Sequence, residues 1–280
     1  MRSENQVLHQ IVEFAMGESM VRAVMMNGSR LNSNAPKDFL QDYDLVFFVN
    51  DLPSACYKRN QDWIRQFGEL VIMQQNDFDD GAYIFLMLFK DGVRIDLCFK
   101  DAASIHKLVN EDSLTRILLD KDHCLPELSP PDDSSYYVQK PSEMEYKNCL
   151  NEAWWIQTYT AKGLLRNEWP YARYMYDTIV IPCVHSILSW VIGYEHEWRV
   201  NIGVSGRWLN RYLSPRQYEK LHSLYVYSDK ERQWDCLFKA GEVIREYGRK
   251  AAGNMGYEYP EREDKEVTAY LRNLRKKDLM

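Results

Sequence analysis

Hydrophobic residues recur with two different periods along the chain, and the period changes near its middle. Residues 4–20 carry apolar side chains at helical spacing, which predicts an N-terminal helix. Residues 63–67 predict a second, short helix. Runs rich in β-branched and aromatic residues predict strands at 21–26, 44–50, 69–74, 83–89 and 93–99. The turn Lys90-Asp91-Gly92 separates the last two runs and indicates a β-hairpin.

A segment rich in Pro and Ser, around residues 125–141, interrupts this pattern. Beyond it, helical periodicity covers residues 143–165, 170–192, 215–225 and 234–252, and strand-like alternation disappears. Residues 272–277 have the character of a solvated helix end. We therefore predict an α+β protein, with a mixed-sheet domain at residues 1–135 and an α-helical bundle domain at residues 136–280.

Composition narrows the classes of function. The 280 residues are 45% hydrophobic and 27% charged, which is enough for two globular cores. A net charge of −6 argues against nonspecific nucleic-acid binding, which needs clustered Lys and Arg, and it favours a cationic partner. No apolar run reaches the roughly 18 residues of a membrane span, and no signal peptide is recognisable. We expect a cytoplasmic protein that binds neither nucleic acid nor membrane.

Three aspartates lie at the start of predicted strands or within them. Asp42 and Asp44 are two residues apart at the start of a predicted strand, so both side chains point to one face. Asp96 lies within another strand among apolar neighbours, where a charge is costly unless it is edge-exposed, paired or metal-bound. If the two strands are neighbours, the three carboxylates converge and offer the oxygen ligands that Mg²⁺ prefers. Two such ions, about 3.5–4 Å apart, would hold a nucleotide's phosphates and an attacking hydroxyl.

A turn with the features of a phosphate cradle follows the first predicted strand. Gly28 permits close approach of the backbone to a phosphate, and Ser29 adds a hydroxyl donor. Arg30 would add positive charge. Gly-Ser turns and isolated aspartates are common without any such role, so the prediction depends on their order: strand, Gly-Ser, Asp-x-Asp strand, and a later strand with a third Asp.

That order resembles the nucleotidyltransferase superfamily of DNA polymerase β, and within it the aminoglycoside 6-adenylyltransferases that modify streptomycin. The local matches are Asn27-Gly28-Ser29-Arg30, Gln41-Asp42-Tyr43-Asp44, Asp91-Gly92 with Asp96-Leu97, Leu119-Asp120-Lys121-Asp122, Lys162-Gly163-Leu164, Arg166-Asn167-Glu168 and Arg211-Tyr212-Leu213. The resemblance implies a nucleotidyltransferase domain followed by a substrate-binding helical bundle. It also implies ATP as co-substrate, transfer of AMP to an aminoglycoside hydroxyl, and antibiotic resistance.

We assign roles to individual residues as a hypothesis for such a reaction. Asp42 and Asp44 would hold the metal, and Asp96 would either ligate a second metal or accept the hydroxyl proton. Lys162 and Arg207 are candidates for contacting the triphosphate from the second domain. Glu168 is a candidate for binding a cationic acceptor.

One position departs from the family pattern. Members of the family usually have a lysine directly after a glycine in the stretch matching residues 203–207, whereas this chain has Val204 there and Arg207 as the nearest cation. Two other functions stay open: a nucleotidyltransferase of the same fold with a protein or another small molecule as acceptor, and a catalytically weak relic that binds nucleotide. We expect a monomer or weak homodimer.

Overall fold

The computed structural model describes residues 2–52, 55–225 and 229–279. Within it the chain divides into two compact units, Met1–Ser135 and Tyr136–Met280. A six-stranded sheet belongs to the first unit, and the second unit is built from helices in the part of the chain that is described. The predicted α+β class is confirmed.

The first unit alternates a few short helices with the strands of its sheet. Its main elements are α1 (Glu4–Gly17), β1 (Val21–Asn27), β2 (Tyr43–Val49), β3 (Leu70–Asp77), β4 (Tyr83–Phe89), β5 (Arg94–Asp101), α2 (Ile105–Leu108) and β6 (Thr115–Asp120). Ser3 caps α1 because its hydroxyl accepts from the backbone N–H of Gln6, whose side chain accepts in return from Ser3 N–H. The predicted helix at residues 63–67 is present as a 3-10 helix, Asp62–Phe67.

The strands are ordered β3-β4-β5-β2-β1-β6 in one mixed sheet. β2 and β5 run parallel, and the other neighbouring pairs are antiparallel. The hairpin predicted at Lys90-Asp91-Gly92 joins β4 to β5. Since β2 lies between β1 and β5, the end of β1 and the starts of β2 and β5 meet at one place, with Asn27 opposite Asp44 and Asp44 opposite Asp96.

The two faces of this sheet have different neighbours. Tyr43, Leu45 and Phe47 alternate along β2 and share a buried aromatic core with residues of α1. Phe14 of α1 stacks against Phe47, with ring centroids 6.0 Å apart. Asp44 points to the opposite face because side chains alternate along a strand. The Tyr43 side of β2 is therefore packed into this core. On the opposite side Phe48 joins a smaller apolar cluster with Ala23 and Met25, and Asp44 lies at the start of the strand.

β6 and the ends of several elements differ from the sequence prediction. β6 was not predicted, because Thr115–Asp120 is a half-buried edge strand without the alternation of a two-faced strand; it pairs with β1 alone. β3 runs on to Asp77, and α1 ends at Gly17 rather than Met20. Local patterns locate elements better than they locate their ends.

The described part of the second unit consists of four long helices and two short ones. They are α3 (Glu143–Leu165), α4 (Trp169–Met175), α5 (Ile181–Glu195), α6 (Pro215–His222), α7 (Lys230–Met255) and α8 (Glu261–Asp278). The single helix predicted at residues 170–192 is interrupted by a π-helical turn, Tyr176–Val180. The ring of Pro182 would clash with the carbonyl of residue 178 in a regular helix, which explains the wider turn. α8 is longer than the predicted tail because Asp264 and Leu271 anchor it.

One described stretch, Trp169–Glu195, is long and apolar enough by length and composition to cross a membrane. However, 56% of its apolar window is buried, and Val184, Ile187 and Leu188 belong to the core of the second unit. A place in the core of the helical unit accounts for its apolar character.

Candidate active site

Three carboxylates meet where β2 and β5 lie side by side. Asp44 is directly opposite Asp96 in the parallel register. Asp42 precedes Asp44 by two residues and so falls on the same face. One oxygen atom from each carboxylate lies within 4.8 Å of the others. The neighbouring strands on which the predicted cluster depended are therefore present, and the ligand roles of these residues stay a prediction.

Gly28 forms the wall of the cluster next to Asp44. Its φ of +84° lies in the left-handed region, which disfavours any residue with a side chain. A Cβ atom at this position would also lie 2.0 Å from Oδ2 of Asp44 and 2.9 Å from its Cγ. Both the backbone conformation and the space therefore require glycine, and the Asp44 carboxylate is held directly against the turn that follows β1.

A negative charge on Asp44 is energetically unfavourable in this position. Burial, together with the negative charges of Asp42 and Asp96, raises the pKa of Asp44 from 3.8 to about 7, against the opposing effect of Arg94 and Arg30. A carboxylate with so high a pKa is one whose negative charge lacks sufficient compensation. A bound divalent cation would supply that compensation.

Asp96 is compensated by an arginine that sequence analysis missed. Asp96 is only 8% exposed, and Arg94 donates to both of its oxygens, with Nε–Oδ1 at 2.9 Å and Nη2–Oδ2 at 2.5 Å. Nε of Arg94 also lies 3.6 Å from Oδ2 of Asp42. The signal was present in the sequence, since Arg-x-Asp on a strand puts both side chains on one face.

Arg30 lies beside the site but its guanidinium is engaged with the protein. It donates to the carbonyl oxygens of Asp42 (3.0 Å) and Gln41 (2.6 Å) and pairs with Glu4 at 3.2 Å. It also sits over the Tyr43 ring, 3.6 Å from the centroid. In this arrangement Arg30 fixes the segment that carries Asp42. Its contact with a nucleotide phosphate stays a prediction, and it would have to be made in addition to these bonds.

Ser29 is half-buried in the turn after Gly28. The side-chain amide of Gln41 donates to the Ser29 carbonyl at 3.0 Å and reaches its hydroxyl at 3.5 Å. Backbone N–H groups of Leu31 and Asn32 close the turn on the carbonyls of Gly28 and Ser29. The turn is thus rigidly built, as a phosphate cradle requires, and the phosphate contact itself stays a prediction.

The remaining candidates belong to the second unit. Lys162 is exposed on the last turn of α3, with its ammonium 4.9 Å from the Tyr159 ring centroid. Glu168 is exposed at the N-cap of α4, where its side chain makes no capping bond. Arg207 is exposed directly after a 3-10 turn in which Val204 is 65% exposed. All three side chains face solvent within their unit, and their roles in binding stay predictions.

The donor set of the cluster fits a hard cation. Its ligand atoms are carboxylate oxygens, which Mg²⁺ prefers, and it contains none of the nitrogen or sulfur ligands typical of zinc. The uncompensated charge at Asp44 points the same way. Asp42 and Asp44 would hold the cation, with Asp96 beside them.

Comparisons with known proteins agree over nearly the whole chain. The sequence model of the streptomycin adenylyltransferase family matches residues 1–274. Aminoglycoside 6-adenylyltransferases from Staphylococcus aureus and Bacillus subtilis (strain 168) are 32% and 31% identical, over 98% of this chain and 99% and 98% of their own lengths. A solved aminoglycoside 6-adenyltransferase from Bacillus subtilis has 27% identity over 98% of this chain and 99% of its own, with a TM-score of 0.49.

Gly28→Ala is expected to disrupt the cluster, because its Cβ would overlap the Asp44 carboxylate. Gly81→Ala is a matched control: Gly81 has the same φ of +84°, but a Cβ atom there would have no neighbour within 4 Å. Both variants carry the roughly 1–2 kcal/mol cost of a left-handed alanine. Only Gly28→Ala adds an overlap worth about 1–3 kcal/mol. Urea unfolding of both variants measures the difference, and equal losses would contradict the observed contact.

Asp44→Asn is expected to stabilise the metal-free protein at high pH. The folded-state pKa of Asp44, about 7, exceeds its ordinary 3.8, so its contribution to stability is full below about pH 4 and is lost as the pH rises through 7. Asparagine carries no such charge. In EDTA, the melting temperature of Asp44→Asn should exceed that of wild type at about pH 8 and not at about pH 4, by about 2–4 °C per kcal/mol. A difference independent of pH would refute this electrostatic account.

Proposed function

Because the chain belongs to the streptomycin adenylyltransferase family, we propose that it transfers AMP from ATP to a hydroxyl of an aminoglycoside such as streptomycin. The observation that carries this proposal is the convergence of Asp42, Asp44 and Asp96 beside the Gly28 turn. The names of the two relatives support the class of acceptor. Adenylylation would inactivate the antibiotic, so the physiological role is resistance.

In the proposed reaction, the first unit binds Mg·ATP and carries out the chemistry. Asp42 and Asp44 would hold the cation, and the Gly28-Ser29 turn would receive the phosphates. Bound Mg²⁺ would supply positive charge to the triphosphate and to the oxygens around the α-phosphorus. Gly28 contributes by letting the backbone and Asp44 approach each other without an intervening side chain.

The transfer exchanges one phosphorus–oxygen bond for another. The acceptor hydroxyl oxygen attacks the α-phosphorus, the bond to the bridging oxygen of the β-phosphate breaks, and pyrophosphate leaves. Asp96 either accepts the hydroxyl proton or ligates a second cation. In both roles it shares its negative charge with the guanidinium of Arg94, which donates one hydrogen bond to each of its oxygens.

The second unit is proposed to bind the acceptor and the outer phosphates. Glu168 suits an ammonium or guanidinium group because its exposed carboxylate is not used for helix capping. Lys162 and Arg207 offer exposed cations to the triphosphate. Val204 leaves the position of the family lysine without charge, so Arg207 carries the phosphate contact on that side.

Incubation with Mg·ATP and streptomycin is expected to release pyrophosphate and to add one AMP to the antibiotic, as detected by mass spectrometry. Asp42→Asn should lower turnover by at least about a hundredfold, because loss of a metal ligand removes several kcal/mol of transition-state stabilisation. Asp79→Asn, an exposed carboxylate between β3 and β4, is the control and should retain full activity.

The outcomes separate the functions that the sequence left open. Transfer of AMP to a protein or another small molecule, without transfer to streptomycin, would show that the proposed acceptor is wrong and that the proposed reaction type is right. Nucleotide binding without any transfer would favour the relic. Substantial turnover by Asp42→Asn would show that the metal site is misplaced.

Glu168→Gln is expected to raise KM for streptomycin by about tenfold with little change in kcat, because a charged contact to the acceptor contributes equally before and during the reaction. KM for ATP should not change. Glu266→Gln, an exposed carboxylate on α8, is the matched control. Steady-state kinetics with each substrate varied in turn measure these effects. A lower kcat, or no change at all, would remove Glu168 from acceptor binding.

A further inference from the structure

Arg94 provides a positive charge directly beside the carboxylate cluster. It is the first residue of β5 and lies two residues before Asp96, on the same face of the strand. Its guanidinium contacts both oxygens of Asp96 and approaches Asp42 at 3.6 Å. In the described part of the chain, both ion pairs made to the three carboxylates come from Arg94.

The contacts of Arg94 use the same carboxylates that the metal requires. A forked guanidinium takes one lone pair of each oxygen, and its positive charge opposes a metal cation that binds to the remaining ones. The positive charge of Arg94 also repels an incoming cation near Asp42. Arg30, the other arginine nearby, is directed to backbone carbonyls and Glu4 instead.

The exposure of the partners shows which of them can move. The Asp96 side chain is 10% exposed and fixed in the sheet, whereas the Arg94 side chain is 47% exposed at the end of its strand. A long, half-exposed arginine can swing into solvent at little cost, because its charge is then hydrated. The buried Asp96 side chain cannot move into solvent in this way.

We propose that Arg94 is the counter-ion of Asp96 and Asp42 and competes with a divalent cation for these carboxylates, so that it sets the affinity of the site for the cation. The inference rests on the proposed function, because it takes these carboxylates as the metal site. It assigns Arg94 a positioning and regulating role, without contact to the reacting atoms.

Binding of Mn²⁺ to the full-length protein, measured by calorimetry and by electron paramagnetic resonance without nucleotide, tests the proposal. Arg94→Gln removes the competing charge and should lower the Kd for Mn²⁺ by about tenfold, a factor that corresponds to about 1.4 kcal/mol. Arg94→Lys keeps the charge but loses the fork, so an intermediate Kd is expected. Arg65→Gln, an exposed arginine in the same unit, should leave the Kd unchanged.

Thermal unfolding supplies a second readout. In EDTA, Arg94→Gln should melt below wild type, because the carboxylates lose their counter-ion, and Mn²⁺ should raise its melting temperature more than that of wild type. A purely structural arginine would lower the melting temperature without tightening Mn²⁺ binding. Unchanged or weaker binding in both Arg94 variants overturns the proposal alone, whereas absence of Mn²⁺ binding in wild type overturns it together with the proposed metal site.

Discussion

The candidate site depends on the direct approach of the Asp44 carboxylate to the Gly28 backbone. This contact is possible because β1 and β2 are antiparallel neighbours, with Asn27 opposite Asp44, and because the turn after Asn27 begins with a residue that has no side chain. It holds the carboxylate half-buried. Burial is in turn the largest of the effects that raise the pKa of Asp44 to about 7, so the geometry of the turn creates the electrostatic need for a cation.

The two arginines near Asp44 reduce the energetic cost of its negative charge without removing it. Arg94 compensates Asp96, and Arg30 secures the backbone of Asp42 and Gln41 while lying over the Tyr43 ring. One arginine therefore balances charge and the other holds the ligand segment in place. An oxygen-lined cluster kept in position but short of positive charge is suited to bind a cation for metal-assisted transfer of a phosphoryl-linked group to a hydroxyl.

Family membership indicates the class of reaction, and the geometry of the cluster indicates where in the first unit that reaction would occur. The family model and the relatives cover nearly the whole chain, so they speak for adenylyl transfer as the class of chemistry. The geometry says where in the first unit such chemistry would take place. Val204 and Arg207 are both exposed within the second unit, and the replacement of a family lysine by Arg207 stays a prediction.

Local sequence patterns were sufficient for the α+β class, for α3 with its bounds, for the hairpin before β5 and for the face shared by Asp42 and Asp44, because periodicity and turn chemistry act between residues close in the chain. They were insufficient for β6, the π turn before α5 and the partners of Arg94 and Arg30. β6 and the partners of the two arginines depend on which strands become neighbours and which charges meet after folding. The π turn instead follows from the ring of Pro182, a local signal that hydrophobic periodicity does not read. The three aspartates and their spacing can be read from the chain alone. Their convergence into one cluster depends on the pairing of β2 with β5, because residues about fifty positions apart become neighbours only after folding.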